Sequence, residues 1–422
     1  MSSQLARLCC VAARRFLRSE AGGVVVLLGL ALVPLIGTVG LAVDAGAWYG
    51  ERARLQAAAD SAAIAAAREL RIANSSADQL ELIAEASARD AVAARGFDPG
   101  AVVVDAVVDM RAYAVRLRID KPLERAFSRA VTDLFARVSV AATARITGSA
   151  PICVIGLDPT ESKTVHLQNS AQLEAPGCAV YSNSTHNQGL RIDNFAEIRA
   201  ALICSSGGTE GPHASFRPTP RTDCPPIPDP LIARSQPRVG SCTHHDLVVT
   251  ADTYLAPGVY CGGLRIRGGA QVSLGSGLYV IKDGPLRVDR GSLVGRYTSF
   301  FFTGDNAAID FHKHSSIDLT AMRDGPIAGI LFFEDRAAPP GRDFKIESDD
   351  ARNLLGTIYL PRGDFFVDAG NRVADRSAYT VIVARRLELS AGPILTLNTD
   401  YGATDIPVPE GVGPTGDVVL SQ

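Results

Sequence analysis

Residues 264–311 read LRIRGGAQVSLGSGLYVIKDGPLRVDRGSLVGRYTSFFFTGDNAAIDF, and three short heads inside that stretch decide the fold class. Leu264-Arg265-Ile266, Leu286-Arg287-Val288 and Ile309-Asp310-Phe311 each run apolar, polar, apolar, and they begin 22 and 23 residues apart (264 to 286 to 309). A strand sends alternate side chains to opposite faces, so Leu264 and Ile266 point inward while Arg265 and Arg267 face solvent. That spacing is one coil of a β-solenoid, in which no coil buries its apolar row alone and each new coil covers the last.

Working outward, the same head shape stands at Val165-His166-Leu167 and Leu190-Arg191-Ile192, and LYVIKDG, SFFFTGD, ILFFED, GTIYLP and YTVIVA supply apolar runs for interior faces. The expected fold class is therefore α+β with an N-terminal transmembrane helix and a C-terminal all-β domain, a right-handed parallel β-helix over residues 149–405. A β-sandwich of short strands is the competing architecture. Residues 207–240 hold eight prolines and no strand period. Proline cannot donate to a ladder, so this segment reads as an excursion from the stack. The tail, 406–422, reads as flexible.

Six cysteines fall in this half: Cys153, Cys178, Cys204, Cys224, Cys242 and Cys261. An even count in an exported domain points to three disulfides, and fifteen pairings are open. Sequential pairing, Cys153 with Cys178, Cys204 with Cys224 and Cys242 with Cys261, is the working expectation. No pair has C-x-x-C spacing, so a zinc site is not expected. Cys9 and Cys10 stand apart near the N-terminus.

Forty-two basic against forty-five acidic side chains leave a net charge of -3, without the broad positive field a sequence-independent nucleic-acid binder needs. No nucleic-acid partner is expected. Asp310, His312 and His314 would share a strand face at i, i+2 and i+4, a metal-ligand pattern, but alternating polar residues on a solenoid exterior need no such explanation. His244-His245-Asp246 is weaker, because adjacent strand residues face opposite ways. Asp283, Asp289, Asp305, Asp310 and Asp318 are the candidate catalytic carboxylates. General acid–base work needs groups converging on one bond, and solvated turn positions account for scattered aspartates. P-loop, G-x-S-x-G, H-E-x-x-H and dinucleotide fingerprints are absent from the sequence. The expectation is a non-enzyme with no cofactor and no metal.

At the other end of the chain, AGGVVVLLGLALVPLIGTVGLAV at 21–43 carries no charge. As a helix it reaches roughly 34 Å, enough to cross a bilayer. Its interior Pro34 and glycines are tolerated in membrane helices. Arg7, Arg14, Arg15 and Arg18 precede it, and Trp48-Tyr49 follow. Cations stay in the cytoplasm and amphipathic aromatics favour the headgroup level, so the N-terminus belongs inside. A cleaved signal is the alternative, with Ala45-Gly46-Ala47 as a small-x-small site, but the run is longer than a signal core.

Eight alanines among positions 57–67 predict a helix running on from the membrane, one long rod whose small side chains suit close packing on its own domain or on a partner. A second helix is expected over Ser76 to Arg95, with Leu80, Ile83, Ala84 and Ala91 as its apolar stripe and Gly96 as its stop. AVVVDAVVD, YAVRLRI and ARVSVAATARI alternate like strands and FSRAVTDLF like a short helix, closing a small α+β unit near Thr147.

Arg15-Phe16, Val43-Asp44, Leu55-Gln56, Ala58, Asp60 and Ala62-Ala63 resemble the TadG-like N-terminal domain of the tight-adherence (Flp) pilus-assembly proteins, over about residues 14–70. Asp44, Leu55, Gln56 and Asp60 carry that motif. The resemblance implies a bacterial inner-membrane protein with a structural or accessory role in Tad pilus assembly or surface adhesion, and pilus-assembly proteins or a cell-surface polymer as partners. The resulting division is a cytoplasmic basic segment (1–20), the span (21–43), a periplasmic TadG-like unit (44–148), the solenoid (149–405) and the tail (406–422). The rival readings are a membrane-tethered polysaccharide-active enzyme and a carbohydrate-binding module.

Overall fold

The computed structural model of the chain describes residues 23–70, 77–109, 114–123, 136–147, 151–413 and 417–421. A single helix, α1 (Gly23–Glu69), runs through both the uncharged stretch and the alanine-rich one without a break. Its two halves sit in different surroundings. Residues 27–39 are exposed on every side, with Val33 at 74%. From Leu55 onward Ala58, Ala59, Ala62, Ala63, Ala66 and Ala67 are buried, at three- and four-residue spacing along one face. Alanine suits both tasks, because it costs least in a helix and lets a neighbour approach closely.

What covers that ridge is the protein's own α+β unit, so the alanine face is not a surface left for a partner. α2 (Ala77–Ala93) packs beside α1. A four-stranded antiparallel sheet of β1 (Val103–Asp109), β2 (Ala114–Pro122), β3 (Arg137–Thr147) and the C-terminal strand Asp417–Ser421 supplies the second layer. Val104, Ala106 and Val108 alternate with exposed residues on β1, as do Val115, Leu117 and Ile119 on β2. The α2 stripe differs from the expected one. Leu80, Ala84, Ala88 and Val92 are buried at strict four-residue steps, while Ile83 is 38% exposed. The expected helix at FSRAVTDLF, and Cys9 and Cys10, lie outside the described residues.

The tail is not loose. Asp417–Ser421 pairs antiparallel with β3, Val419 opposite Arg145, and Ile406, Val408 and Val412 are buried against the solenoid. Five strand-forming residues near a chain end carry no sign of a partner in the sequence. They order here because β3 offers them an unpaired edge.

Residues 152–396 form a parallel β-solenoid. Leu264 stacks on Leu286 and Leu286 on Ile309, in parallel register, so the 22- and 23-residue spacing is one coil each. All strand ladders in this region are parallel, and the sandwich alternative is thereby excluded. Tyr260, Tyr279, Phe300 and Phe332, one per coil, form an aromatic column inside, with ring centroids 5.8, 5.5 and 5.8 Å apart and no solvent exposure. The Tyr279 hydroxyl donates to the carbonyls of Leu255 and Gly275, so its polar end is satisfied. At Gly291, with φ +115°, a Cβ would meet the Ala270 carbonyl oxygen at 2.1 Å, so the coil corner demands glycine.

Coil order in space differs from coil order in sequence. Leu387 pairs with Val165, and Val165 with Leu190, so the first coil of the chain lies against the last. The polypeptide enters in mid-stack and winds out to one end at Phe216–Arg217. It then crosses to the opposite end, where His244–Val249 pairs with 260–266, and winds back to the seam.

The proline-rich excursion is that crossing. Donors from three different coils hold its carbonyls and carboxylate. Tyr181 Oη donates to Pro225 O (2.9 Å), Asn183 Nδ2 to Ile227 O (2.7 Å), Tyr359 Oη to Asp229 (2.6 Å) and Arg336 Nη2 to Leu231 O (2.6 Å). A segment short of N–H groups is thus fixed mainly through its acceptors. Disulfides pin both of its ends, Cys204–Cys224 at the start and Cys242–Cys261 at the finish. Cys153–Cys178 joins the first coil to the next, whose strands stack in parallel register with Ile152 opposite Ala179.

Candidate functional site

The motif residues of the N-terminal segment form the joint between α1 and the sheet. Asp44 is buried, the first charged residue beyond the exposed run. Leu55 is fully buried. Gln56 Nε2 donates both to Asp60 Oδ1 (2.8 Å), one turn on, and to the Ala141 carbonyl of β3 (2.9 Å). Ala58, Ala62 and Ala63 then allow helix and sheet to close together. Around the joint Trp48 Nε1 donates to Arg137 O (3.2 Å), Lys121 pairs with Glu51 (2.6 Å) and Arg95 donates to Ala57 O (2.7 Å). Each of these ties α1 to a different element, so the joint is braced against bending. Its chemistry is positional: donors, acceptors and packed methyls hold the helix axis fixed relative to the sheet.

On the solenoid, the outward residues of the heads build a charged face. Arg287 pairs with Asp289 (2.6 Å) on its own coil and Asp310 (3.0 Å) on the next, and the Asp289 bond raises its already high pKa. His312 Nε2 lies 3.2 Å from Asp310 and 3.5 Å from Asp289, and its Nδ1 is 3.7 Å from Glu347. Asp310 and His312 are thus brought together. His314 is not with them, because a register shift between Phe311 and His314 breaks the alternation; it lines a shallow groove with Gln271, Ser292 and Asp350. Among the described residues no group of three His, Cys, Asp or Glu is arranged to hold a metal ion.

The five candidate aspartates are likewise dispersed. Asp289 and Asp310 share the Arg287 network. Asp283 sits at a corner with φ 55°, Asp305 is exposed, and Asp318 accepts from Asn353 (2.7 Å) on another face. His244 stacks on Tyr260 at 4.7 Å, while His245 is exposed.

The seam between last and first coils is the feature that sequence reasoning missed. His166 is 2% exposed, with Nε2 3.0 Å from Asp193 and Nδ1 3.6 Å from Glu388. The neighbouring His166 ring, with a hydrogen bond from Gln168, holds the Glu388 carboxyl below its ordinary range, against the opposing effect of burial. Asp193 is held low chiefly by Arg191. Nearby, Arg385 reaches Asp158 of the first coil (3.1 Å) and also Asp364. Burial raises the Asp364 carboxyl despite that partner. The one available signal was that Leu387-Glu388-Leu389 has the same head shape as Val165-His166-Leu167. Beside the seam lies a cleft of about 730 Å³ lined by Pro176, Asp375, Arg376, Asn398, Asp400 and Tyr401.

Residues 22–69 match the family model described as putative Flp pilus-assembly TadE/G-like. The matched stretch coincides with α1, from the start of the exposed apolar half to the end of the alanine ridge. No curated protein and no solved structure matches the chain.

Proposed function

We propose that this chain is a single-pass bacterial inner-membrane protein, cytoplasmic at its N-terminus. In this reading it holds a rigid, non-enzymatic β-solenoid in the periplasm as a structural or accessory part of Flp-type pilus assembly or surface attachment. The observation that carries the reading is the continuity of α1. One helix passes from an apolar half long enough to cross a bilayer and exposed over residues 27–39 into a buried ridge docked on a sheet, and the pilus-assembly likeness covers that helix. Three disulfides beyond it suit an oxidising compartment, and the four arginines before it suit the cytoplasm.

The test has two arms. Alkaline phosphatase fused after Gln422 should be active in intact cells, and cross-linking from a tagged copy should capture pilus-assembly components, with fewer sheared pili in a deletion strain. An inactive fusion overturns the topology. Normal pili with no such partner overturn the pilus role. The polar cleft at the seam favours a second reading, a saccharide-binding module. Full-length protein would then bind soluble glycans and lose them on Tyr401→Ala.

A further inference from the structure

The two ends of the α+β sheet have different neighbours. β3 begins at Arg137, beside Trp48, and β2 ends at Lys121 and Pro122, beside Glu51. Both contacts are with the turn of α1 that directly follows the exposed apolar half. Trp48 is five residues beyond Val43, about 7 Å along the helix, which is headgroup depth if the apolar half fills the hydrocarbon. β3 then runs for 11 residues, roughly 35 Å, before it and the C-terminal strand lead to the solenoid at the opposite end. The helix-proximal end therefore cannot stand away from a membrane that α1 crosses.

That end is also basic. Arg52 and Arg54 are exposed on α1 and Arg137 on β3. Arg54 and Lys121 both lie over the Phe97 ring, at 4.8 and 5.2 Å, which places them on the same side. Of the carboxylates near them, Glu51 is paired with Lys121, and Asp120 is paired with Arg118 and also attracted by Arg137. Tyr49 is 66% exposed next to Trp48.

We propose that this end of the unit docks on anionic phospholipid headgroups, with Trp48 and Tyr49 in the headgroup layer and Arg52, Arg54 and Arg137 against lipid phosphates. The inference rests on the membrane span proposed above. Its physical basis is that guanidinium groups pair with phosphate through fixed donor geometry, and that cations near a charged surface are drawn to it within a Debye length. The consequence is a fixed stand-off: the unit sits on the bilayer and the solenoid is carried beyond its far end.

Trp48 is the chain's only tryptophan, so its fluorescence reports on this end alone. The full chain is reconstituted in phosphatidylcholine vesicles with or without phosphatidylglycerol. Flotation after an alkaline wash comes first, and failure to float removes the membrane reading itself. For floating protein, a headgroup spin label should quench Trp48 more than a label deep in the acyl chain, and aqueous iodide should quench it weakly. Phosphatidylglycerol should strengthen headgroup quenching, and salt should reverse that gain. Arg54→Glu combined with Arg137→Glu should abolish the gain while leaving Arg52, which lies over the Trp48 ring at 5.0 Å, in place. Floating protein whose Trp48 is open to iodide, or whose quenching ignores both phosphatidylglycerol and the double substitution, overturns the proposal. Should the double variant fail to fold, the wild-type dependence on phosphatidylglycerol and salt decides alone.

Discussion

His166 of the first solenoid coil and Glu388 of the last face each other across the seam, Nδ1 to Oε2 3.6 Å apart, with the imidazole buried and Asp193 on its other side. Glu388 also accepts from Gln168 Nε2 (2.8 Å), so a single carboxylate joins the coil strands Thr380–Leu389 and Val165–Leu167 at two points.

Acid should open this seam. Glu388 and Asp193 both have depressed carboxyl pKa values in the folded protein, so they contribute stability that is present above about pH 5 and lost as pH falls through their folded values. Glu388→Gln should cost about 1–2 kcal/mol at neutral pH and progressively less as pH falls through the folded value of Glu388. Hydrogen exchange at 165–167 and 387–389, followed against pH in both proteins, reads this directly. An unchanged pH profile in the variant would remove Glu388 from the account.

The crossing segment should depend on its two terminal disulfides. Each closes a loop of about 20 residues, with sequence separations of 20 and 19, for which chain entropy in the unfolded state is worth about 3 kcal/mol. Cys204→Ser with Cys224→Ser, or Cys242→Ser with Cys261→Ser, should make residues 225–240 a protease site while the coils stay resistant. Peptide mapping without reductant should recover the three sequential pairs, and a different pairing would contradict the fold.

Glu334 is fully buried, with Arg342 at 2.7 Å and the Arg362 backbone N–H donating to its other oxygen at 2.8 Å. Arg342→Met would leave that carboxylate without its cation and should cost about 3–5 kcal/mol. Burial already raises the Glu334 carboxyl, so a folded state that takes up a proton gains stability as pH falls. The deficit of the variant should therefore shrink on acidification, and the wild-type Glu334 contribution should rise with acid where that of Glu388 falls. Urea unfolding of the solenoid at two pH values checks the sign.

Removing residues 414–422 should loosen the α+β unit and spare the coils. The deletion bares the β3 edge from Thr143 to Thr147, so hydrogen exchange there should quicken, while Ile330–Glu334 keeps its protection. Equal loss in both regions would mean that the C-terminal strand stabilises the whole chain and not that edge.

Much of this arrangement was legible in the residues because it depends on short-range patterns. The absence of charge over 21–43, the alanine run and the 22–23-residue spacing of the heads each state a local period, and a period dictates which face is buried whatever lies opposite. The α2 stripe was only partly readable. Leu80 and Ala84 belong to it, but Ile83 is excluded by the angle at which α2 meets α1 and the sheet. The shared face of Asp310, His312 and His314 was unreadable for a similar reason: two-residue spacing assumes unbroken alternation, and a register shift between Val288 and Arg290, opposite Phe311 and His314, breaks it.

Taken alone, then, the amino-acid order determined that an apolar helix leads into an α+β unit and that a β-solenoid follows, since burial of alternating or helical apolar rows is a property of neighbours along the chain. Only the tertiary structure decided that the first coil lies on the last, that the proline-rich segment crosses the stack, and that the C-terminal strand returns to β3. Those contacts join residues far apart in the chain whose local patterns fit several partners equally well, and the choice among partners is made when the whole core closes and every strand edge competes for its neighbour.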